Sequence, residues 1–170
     1  NNTISSNGYT GLSIVDSDDN TISNNTIKDN DGDGIYLSGS ESNTISNNII
    51  KDNEENGIDL SGSESNTISN NTITGSGEKG IWVEYSGENI IFNNLIKDSG
   101  GVAIHLYGVD GNTISNNTFL QHNSSYAISL FDSDSTLISN NTIKECLVCV
   151  YLNLVENTIV KDNTISNSDY

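Results

Sequence analysis

The stretch Asn66 to Ile73, N-T-I-S-N-N-T-I, decides how the chain is read, because close copies of it recur along the whole length. Residues 20–27 and 112–119 repeat it almost letter for letter. Residues 43–50 and 89–96 keep its skeleton as N-T-I-S-N-N-I-I and N-I-I-F-N-N-L-I, and residues 136–143 keep it as T-L-I-S-N-N-T-I. A second motif, G-I-x-L, gives an independent ruler: Leu12, Ile35, Ile58, Ile81, Ile104, Ile128 and Val150 stand 23, 23, 23, 23, 24 and 22 residues apart. From Ile4 to Ile165 is 161 residues, seven periods of 23. A period of that size signals a solenoid, in which each copy buries its apolar face only by stacking on its neighbours.

Within one copy, residues 34–56, Ile35-Tyr36-Leu37 alternates as a short strand, S-G-S-E-S is a turn, and Thr44-Ile45-Ser46 is a second strand. The pair Asn47-Asn48 is a corner, Ile49-Ile50-Lys51 is a third strand, and D-N-E-E-N-G returns the chain to its start. No window shows the 3.6-residue period of a helix, and Gly, Asn and β-branched residues all disfavour one. The pattern therefore predicts an all-β fold, a parallel β-helix of about seven coils with three short strands per coil, each strand about 4.8 Å from its equivalent in the next coil. The inward column is Ile35, Leu37, Ile45, Ile50 and their equivalents. The second Asn of each corner, Asn25, Asn48, Asn71, Asn94, Asn117, Asn141 and Asn163, forms a structural ladder in which amides bond to one another and to local backbone.

Bulk composition narrows the partners. A net charge of −17 disfavours nucleic acid and anionic membrane surfaces and leaves calcium, cationic surfaces and neutral glycans. No apolar run approaches the ~20 residues of a membrane span, and no signal peptide precedes the first copy. The chain is read as one solenoid over residues 1–170. Without an initiator Met, it is read as a processed or excised piece of a longer chain or as a stacking filament subunit, extracellular or at the cell surface.

With N-T-I-S-N-N-T-I and G-I-x-L at a 23-residue step, the whole chain resembles the parallel β-helix repeats of the pectate-lyase-like superfamily. It is similar to the Asn-rich repeats of microbial surface proteins, of carbohydrate-binding and sugar-hydrolase domains, and of periplasmic β-helix proteins that assist nitrous-oxide reductase maturation. The resemblance implies a right-handed, single-stranded helix. The superfamily spans lyases, hydrolases, epimerases, adhesins and structural layers, so fold and function separate here. Its lyases typically use basic residues with carboxylate-bound calcium, whereas all six basic residues of this chain are Lys and none falls in the outward columns described next.

If Ile35 and Leu37 point inward, two outward columns lie on the same sheet. One reads Ser13, Tyr36, Asp59, Trp82, His105, Ser129, Tyr151; the other reads Val15, Ser38, Ser61, Glu84, Tyr107, Phe131, Asn153. Repetition fails in these columns, and a site grafted on a regular scaffold would sit there. Asp59, Glu84 and His105 are the candidate catalytic residues, Asp59 and Glu84 being roughly 8 Å apart, as in an inverting glycosidase pair. Tyr36, Trp82, Tyr107 and Tyr151 are candidate ligand-binding rings for a sugar. A solvated or packing face is the alternative.

Other features carry weaker chemistry. Asp29, Asp31 and Asp33 open a D-x-D-x-D-G calcium loop whose twelfth position is Ser40 rather than Glu. The acidic column Asp18, Glu41, Glu64, Asp110, Asp134 and Glu156 would be relieved by a divalent cation. Cys146 and Cys149 form the only C-x-x-C, read as a local disulfide or as two small buried residues. Of the sequons, Asn123 lies in the one loop that lengthens the repeat. Ile90, Phe92 and Leu95 would give the Trp82 coil an apolar belt. Outward Thr and Ser columns raise an ice-binding alternative that Ile90 and Phe92 interrupt.

Two functions follow. One is a structural and adhesive rod about 34 Å tall, acting as spacer, surface-layer piece or filament subunit, self-associating end to end or through the Trp82 and Phe92 coil. The other is a carbohydrate-binding or carbohydrate-active β-helix, lyase-like or hydrolase-like, using the face around Trp82. No cofactor is required by either, and calcium is the candidate ion.

Overall fold

The computed structural model describes residues 1–166; of residues 123–125 it describes the backbone, so the sequon at Asn123 lies outside the described side chains. Each coil gives one strand to each of three parallel sheets. A front sheet stacks seven strands from Leu12–Val15 to Cys146–Asn153, a second sheet seven from Thr21–Ser23 to Ile159–Lys161, and a third sheet eight from Thr3–Ser5 to Thr164–Ser166. Ile35 pairs with Ile58 and Ile45 with Ile68, so residues one period apart are vertical neighbours. Crossovers between parallel strands of one sheet are right-handed, and the chain is a right-handed, single-stranded parallel β-helix of about seven coils. No helix among the described residues is long and apolar enough to cross a membrane.

The core is one column of branched side chains. Ile35, Leu37, Ile45 and Ile50 are fully buried, as are their equivalents through the middle of the stack. The parity holds at the unusual coil: Ile91 and Ile96 fill the core, Ile90 is 45% exposed, and Phe92 and Leu95 are half-buried. Phe92 belongs to the second sheet and Trp82 to the front sheet, so the two do not form a single patch.

The corners explain the Asn pairs. The first Asn, at Asn24, Asn47, Asn70, Asn93, Asn116 and Asn140, has φ between 55 and 58°, a left-handed bend that Asn tolerates better than most residues. That bend turns the next side chain inward. Asn71 donates its backbone N–H to Asn94 Oδ1 at 2.9 Å, and its Nδ2 to Ile45 O at 2.9 Å and Asn94 Oδ1 at 3.1 Å. Its own Oδ1 accepts from the backbone N–H and Nδ2 of Asn48 at 2.9 and 3.1 Å. The inward Asn71 amide is thus satisfied without water.

Three further corners use the same device, which the pattern of Asn pairs alone did not disclose. Ser40, Ser63 and Ser86 follow left-handed Gly39, Gly62 and Tyr85, and their hydroxyls accept the N–H of Ser17, Ser40 and Ser63 at 3.1, 3.1 and 2.7 Å. Asn43, Asn66, Asn89 and Asn112 follow Ser42, Ser65, Glu88 and Gly111 and form another ladder at 2.8–2.9 Å. Asn30 and Asn53 follow Asp29 and Asp52 and start a fourth. This last ladder ends where Ser76 and Ser99 replace Asn, leaving Asn53 Nδ2, Ser99 Oγ and His122 Nδ1 buried without partners.

The acidic side chains take different partners in the structure. In the D-x-D-x-D-G segment Asp29 Oδ2 accepts from Lys28 Nζ at 2.7 Å, whereas Asp33 turns inward and its Oδ1 accepts the N–H and Nδ2 of Asn56, both at 3.0 Å. Asp29, Asp31 and Asp33 therefore do not converge, and no group of three metal-ligating side chains exists among the described residues. In the acidic column, three carboxylates cap amides of the next coil. Asp18 Oδ1 accepts from Glu41 N–H at 2.7 Å, Asp110 Oδ1 from Asp134 N–H at 2.9 Å, and Asp134 Oδ1 from Glu156 N–H at 2.6 Å.

The two members of one Asn corner should respond oppositely to substitution. Asn71→Ala orphans buried groups in two coils and should lower stability by about 2–3 kcal/mol. Asn70→Gly, at φ 56°, should change it by less than about 1 kcal/mol. Thermal melting followed by circular dichroism reads both.

Candidate functional site

The front sheet carries the candidate site on its outward positions, which face away from the core. Register places Asp59 beside Trp82, Trp82 beside His105, His105 beside Ser129 and Ser129 beside Tyr151. The neighbouring column sets Glu84 beside Tyr107 and Tyr107 beside Phe131. A parallel register brings like positions within one strand spacing, so rings in one column meet their neighbours directly. Trp82 packs tilted on His105 at 4.6 Å between ring centres and lies near-parallel to Tyr107 at 6.3 Å. Tyr107 stacks on Phe131 at 5.5 Å, and Tyr126 stacks on Tyr151 at 4.8 Å.

These two stacked pairs wall a groove of about 350 Å³, lined by His105, Tyr107, Tyr126, Ser129, Phe131 and Tyr151. Ser129 is its floor. Although it stands in an outward column, Ser129 is only 2% exposed, because a small side chain lies between large rings. Of the four rings expected to bind ligand, Tyr107 and Tyr151 line the groove, Trp82 adjoins it through His105 and Tyr107, and Tyr36 stands apart beyond Asp59.

Five contributors were not singled out as site residues by the column reading. Tyr126 lies two residues before Ile128 in the strand His122–Phe131, within the copy lengthened to a 24-residue step after Ile104, and the register with the following strand shifts between His122 and Tyr126. The lengthened copy was the available signal. Ser129 and Phe131 stood in the columns and were passed over, because a hydroxyl flanked by rings becomes a floor only once the strands are stacked. Lys79 precedes its strand, and its Nζ lies 4.4 Å from the Trp82 ring centre, a cation–π contact, while also pairing with Glu78 at 3.4 Å. Tyr85 flanks the site at φ 49°, where other coils have Gly39, Gly62 and Gly108, and packs edge-on to Tyr107 at 5.8 Å. A Cβ on Gly108 would stand 3.3 Å from the Tyr85 ring, so that glycine leaves the ring its place.

Burial sets the charge states. His105 is pushed down to about 4, first by burial and then by the Lys79 charge, and is neutral at physiological pH. Asp59 is raised to about 7, first by burial and then by the charges of Asp33 and Glu84, with Lys79 opposing. Its Oδ1 is buried without a partner, and its Oδ2 accepts from Asn56 Nδ2 at 3.3 Å. Glu84 Oε1 accepts from the Ser61 hydroxyl at 3.1 Å. The expected catalytic trio thus shares one face, but only His105 lines the groove.

At the end of the stack, Cys146 and Cys149 are joined by a disulfide. It fastens the segment paired with His122 and Tyr126, and so holds the strand that presents Tyr151.

A pH consequence follows from Asp59. Its folded-state pKa lies above the ordinary 3.8, so the native protein holds a proton that the unfolded chain releases, and stability falls as pH rises from about 4 through about 7. Asp59→Asn should raise the melting temperature at pH 8, by about 2–4 °C per kcal/mol relieved, and leave it unchanged near pH 3.5. An equal effect at both pH values would refute the assignment.

Comparison with known proteins extends the picture. The A-module of mannuronan C-5 epimerase AlgE6 from Azotobacter vinelandii superposes with a TM-score of 0.89 at 23% identity, over 99% of this chain and 51% of that one. The chain thus spans about half the length of that module. A double mutant of the periplasmic alginate epimerase AlgG matches at 0.65 and 17%, over 97% of this chain and 38% of that one. An alginate lyase from Paenibacillus sp. str. FPU-7 matches at 0.59 and 13%, over 98% and 96%. At these identities the likeness shows the fold. No curated protein matches in sequence. The family model described as periplasmic copper-binding protein (NosD) matches residues 1–126. The residues present do not fit copper: the chain has no Met, both Cys are in the disulfide, and His105 on the front face and buried His122 belong to no cluster of ligating side chains among the described residues. By a family match that covers most of its 170 residues, the chain belongs to the NosD family of β-helix repeat proteins.

Proposed function

We propose that this chain is a rigid, exported β-helix module that docks on carbohydrate through its front sheet. The single observation that carries the reading is the ring-walled groove over Ser129. Pyranose rings present flat C–H faces and a rim of hydroxyls. A groove of aromatic carbon with the hydroxyls of Tyr107, Tyr126 and Tyr151 at hand offers both kinds of contact. Export is supported by the disulfide, which persists in oxidising compartments, and by a family described as periplasmic. The rest of the molecule fits a spacer: regular coils, amide ladders and a continuous core make a stiff support.

The fold neighbours are named for action on mannuronan and alginate, which supports a saccharide ligand without assigning a reaction. Binding, rather than turnover, is the reading, since the half-buried Asp59 carboxyl directs one oxygen into the protein and lies outside the groove lining.

An array of immobilised oligosaccharides tests this. Retention of at least one glycan class is expected, with about tenfold weaker binding by Tyr151→Ala or Tyr126→Ala, in line with an aromatic contact of about 1.4 kcal/mol. Failure to retain any glycan, or undiminished binding by both folded variants, would sink the proposal.

A further inference from the structure

The charges around the groove say which glycans it takes. Its lining carries no cation: His105 is the only basic side chain there, and burial keeps it neutral. Lys79, the cation nearest on the same face, lies on the Trp82 ring and pairs with Glu78. Lys28, Lys51 and Lys97 belong to the third sheet, on another side of the helix, and each pairs with the Asp that follows it. The fixed charge on the front sheet is the carboxylate of Glu84, joined by that of Asp59 as pH rises through about 7, on a chain of net charge −17 with no Arg. A carboxylate brought into a ring-lined groove without a cationic partner gives up hydration for neutral hydroxyl donors alone, with no opposite charge to offset the loss. Neutral sugar hydroxyls meet a smaller penalty, and the Tyr hydroxyls can each donate to or accept from them.

We infer that the groove over Ser129 selects uncharged pyranosyl residues and excludes uronates, the opposite charge preference to that expected of a protein handling alginate. The inference rests on the glycan-binding reading above and adds a charge rule to it. His105 is the specificity-determining position, because it is the one basic side chain of the lining and a fixed cation in its place would supply a partner for a uronate carboxylate.

Calorimetric titration of the folded protein with length-matched oligosaccharides tests the rule, using cello-, manno- and xylo-oligosaccharides as the neutral set and oligomannuronate and oligogalacturonate as the anionic set. Wild-type protein should bind at least one neutral member about tenfold or more tighter than either uronate. The gap should narrow as salt rises from about 0.02 to about 0.5 M, because screening weakens repulsion and leaves ring stacking untouched. His105→Lys should shift the preference about tenfold toward uronates, and Ser129→Trp should abolish binding of both classes by filling the floor. Uronates bound as tightly as neutral sugars by the wild type, or a gap indifferent to salt, would overturn the charge rule and leave glycan binding standing. Absence of binding to either class would remove the glycan reading itself and the rule with it. The wild-type comparison and its salt dependence decide the matter even if a variant fails to fold.

Discussion

The hydrogen bond from a backbone amide of one coil to an inward side chain of the next is the interaction on which this structure depends. Apolar burial alone would permit neighbouring coils to slide or splay, because stacked Ile columns are much alike at every level. The corner ladders remove that freedom. At each bend a left-handed residue turns its successor inward, and that successor accepts from the coil before it and donates to the coil after it, as Asn71 does between Asn48 and Asn94. Asn suits this because one amide offers two donors and an acceptor across the spacing of two coils. Where the Asn series ends, at Ser76 and Ser99, unpartnered buried groups appear.

A scaffold locked from within leaves its outward positions free. On the front sheet that freedom is used unevenly: the early coils show Ser and Tyr, the middle coils Asp59, Trp82 and Glu84, and the last coils a run of rings. Vertical stacking turns such a run into a wall, because equivalent residues stand one strand spacing apart. The groove forms only where the repeat lengthens, since the additional residue before Ile128 brings Tyr126 against Tyr151 and closes the second side around Ser129. The disulfide lies in the strand segment paired with this irregularity, where loss of the regular corner would otherwise leave the edge least supported.

Much of this was legible beforehand, for a physical reason. Near-identical copies make the register unambiguous: once Ile35 lies over Ile58, the whole columns Tyr36–Asp59–Trp82 and Ser61–Glu84–Tyr107 follow. The Asn ladder was readable because both members of the pair repeat. The Ser corners were less so, since a serine in a turn is unremarkable until its hydroxyl is seen accepting from the coil below. The motif D-x-D-x-D-G describes spacing alone, whereas the β-helix sends Asp33 inward to Asn56 and leaves Asp29 outside with Lys28.

By itself the sequence determined the coil: its length, its three strands, its inward column and the order of side chains up each face, all consequences of a fixed period of 23 with alternation inside it. Only the tertiary structure decided which outward residues meet. Lys79 on Trp82, Tyr126 on Tyr151 and a buried Ser129 depend on side chains leaving their columns and on one coil of altered length, and local pattern carries no record of either. Periodicity specifies where each Cβ points, whereas a groove is made by how far the side chains beyond it reach and lean.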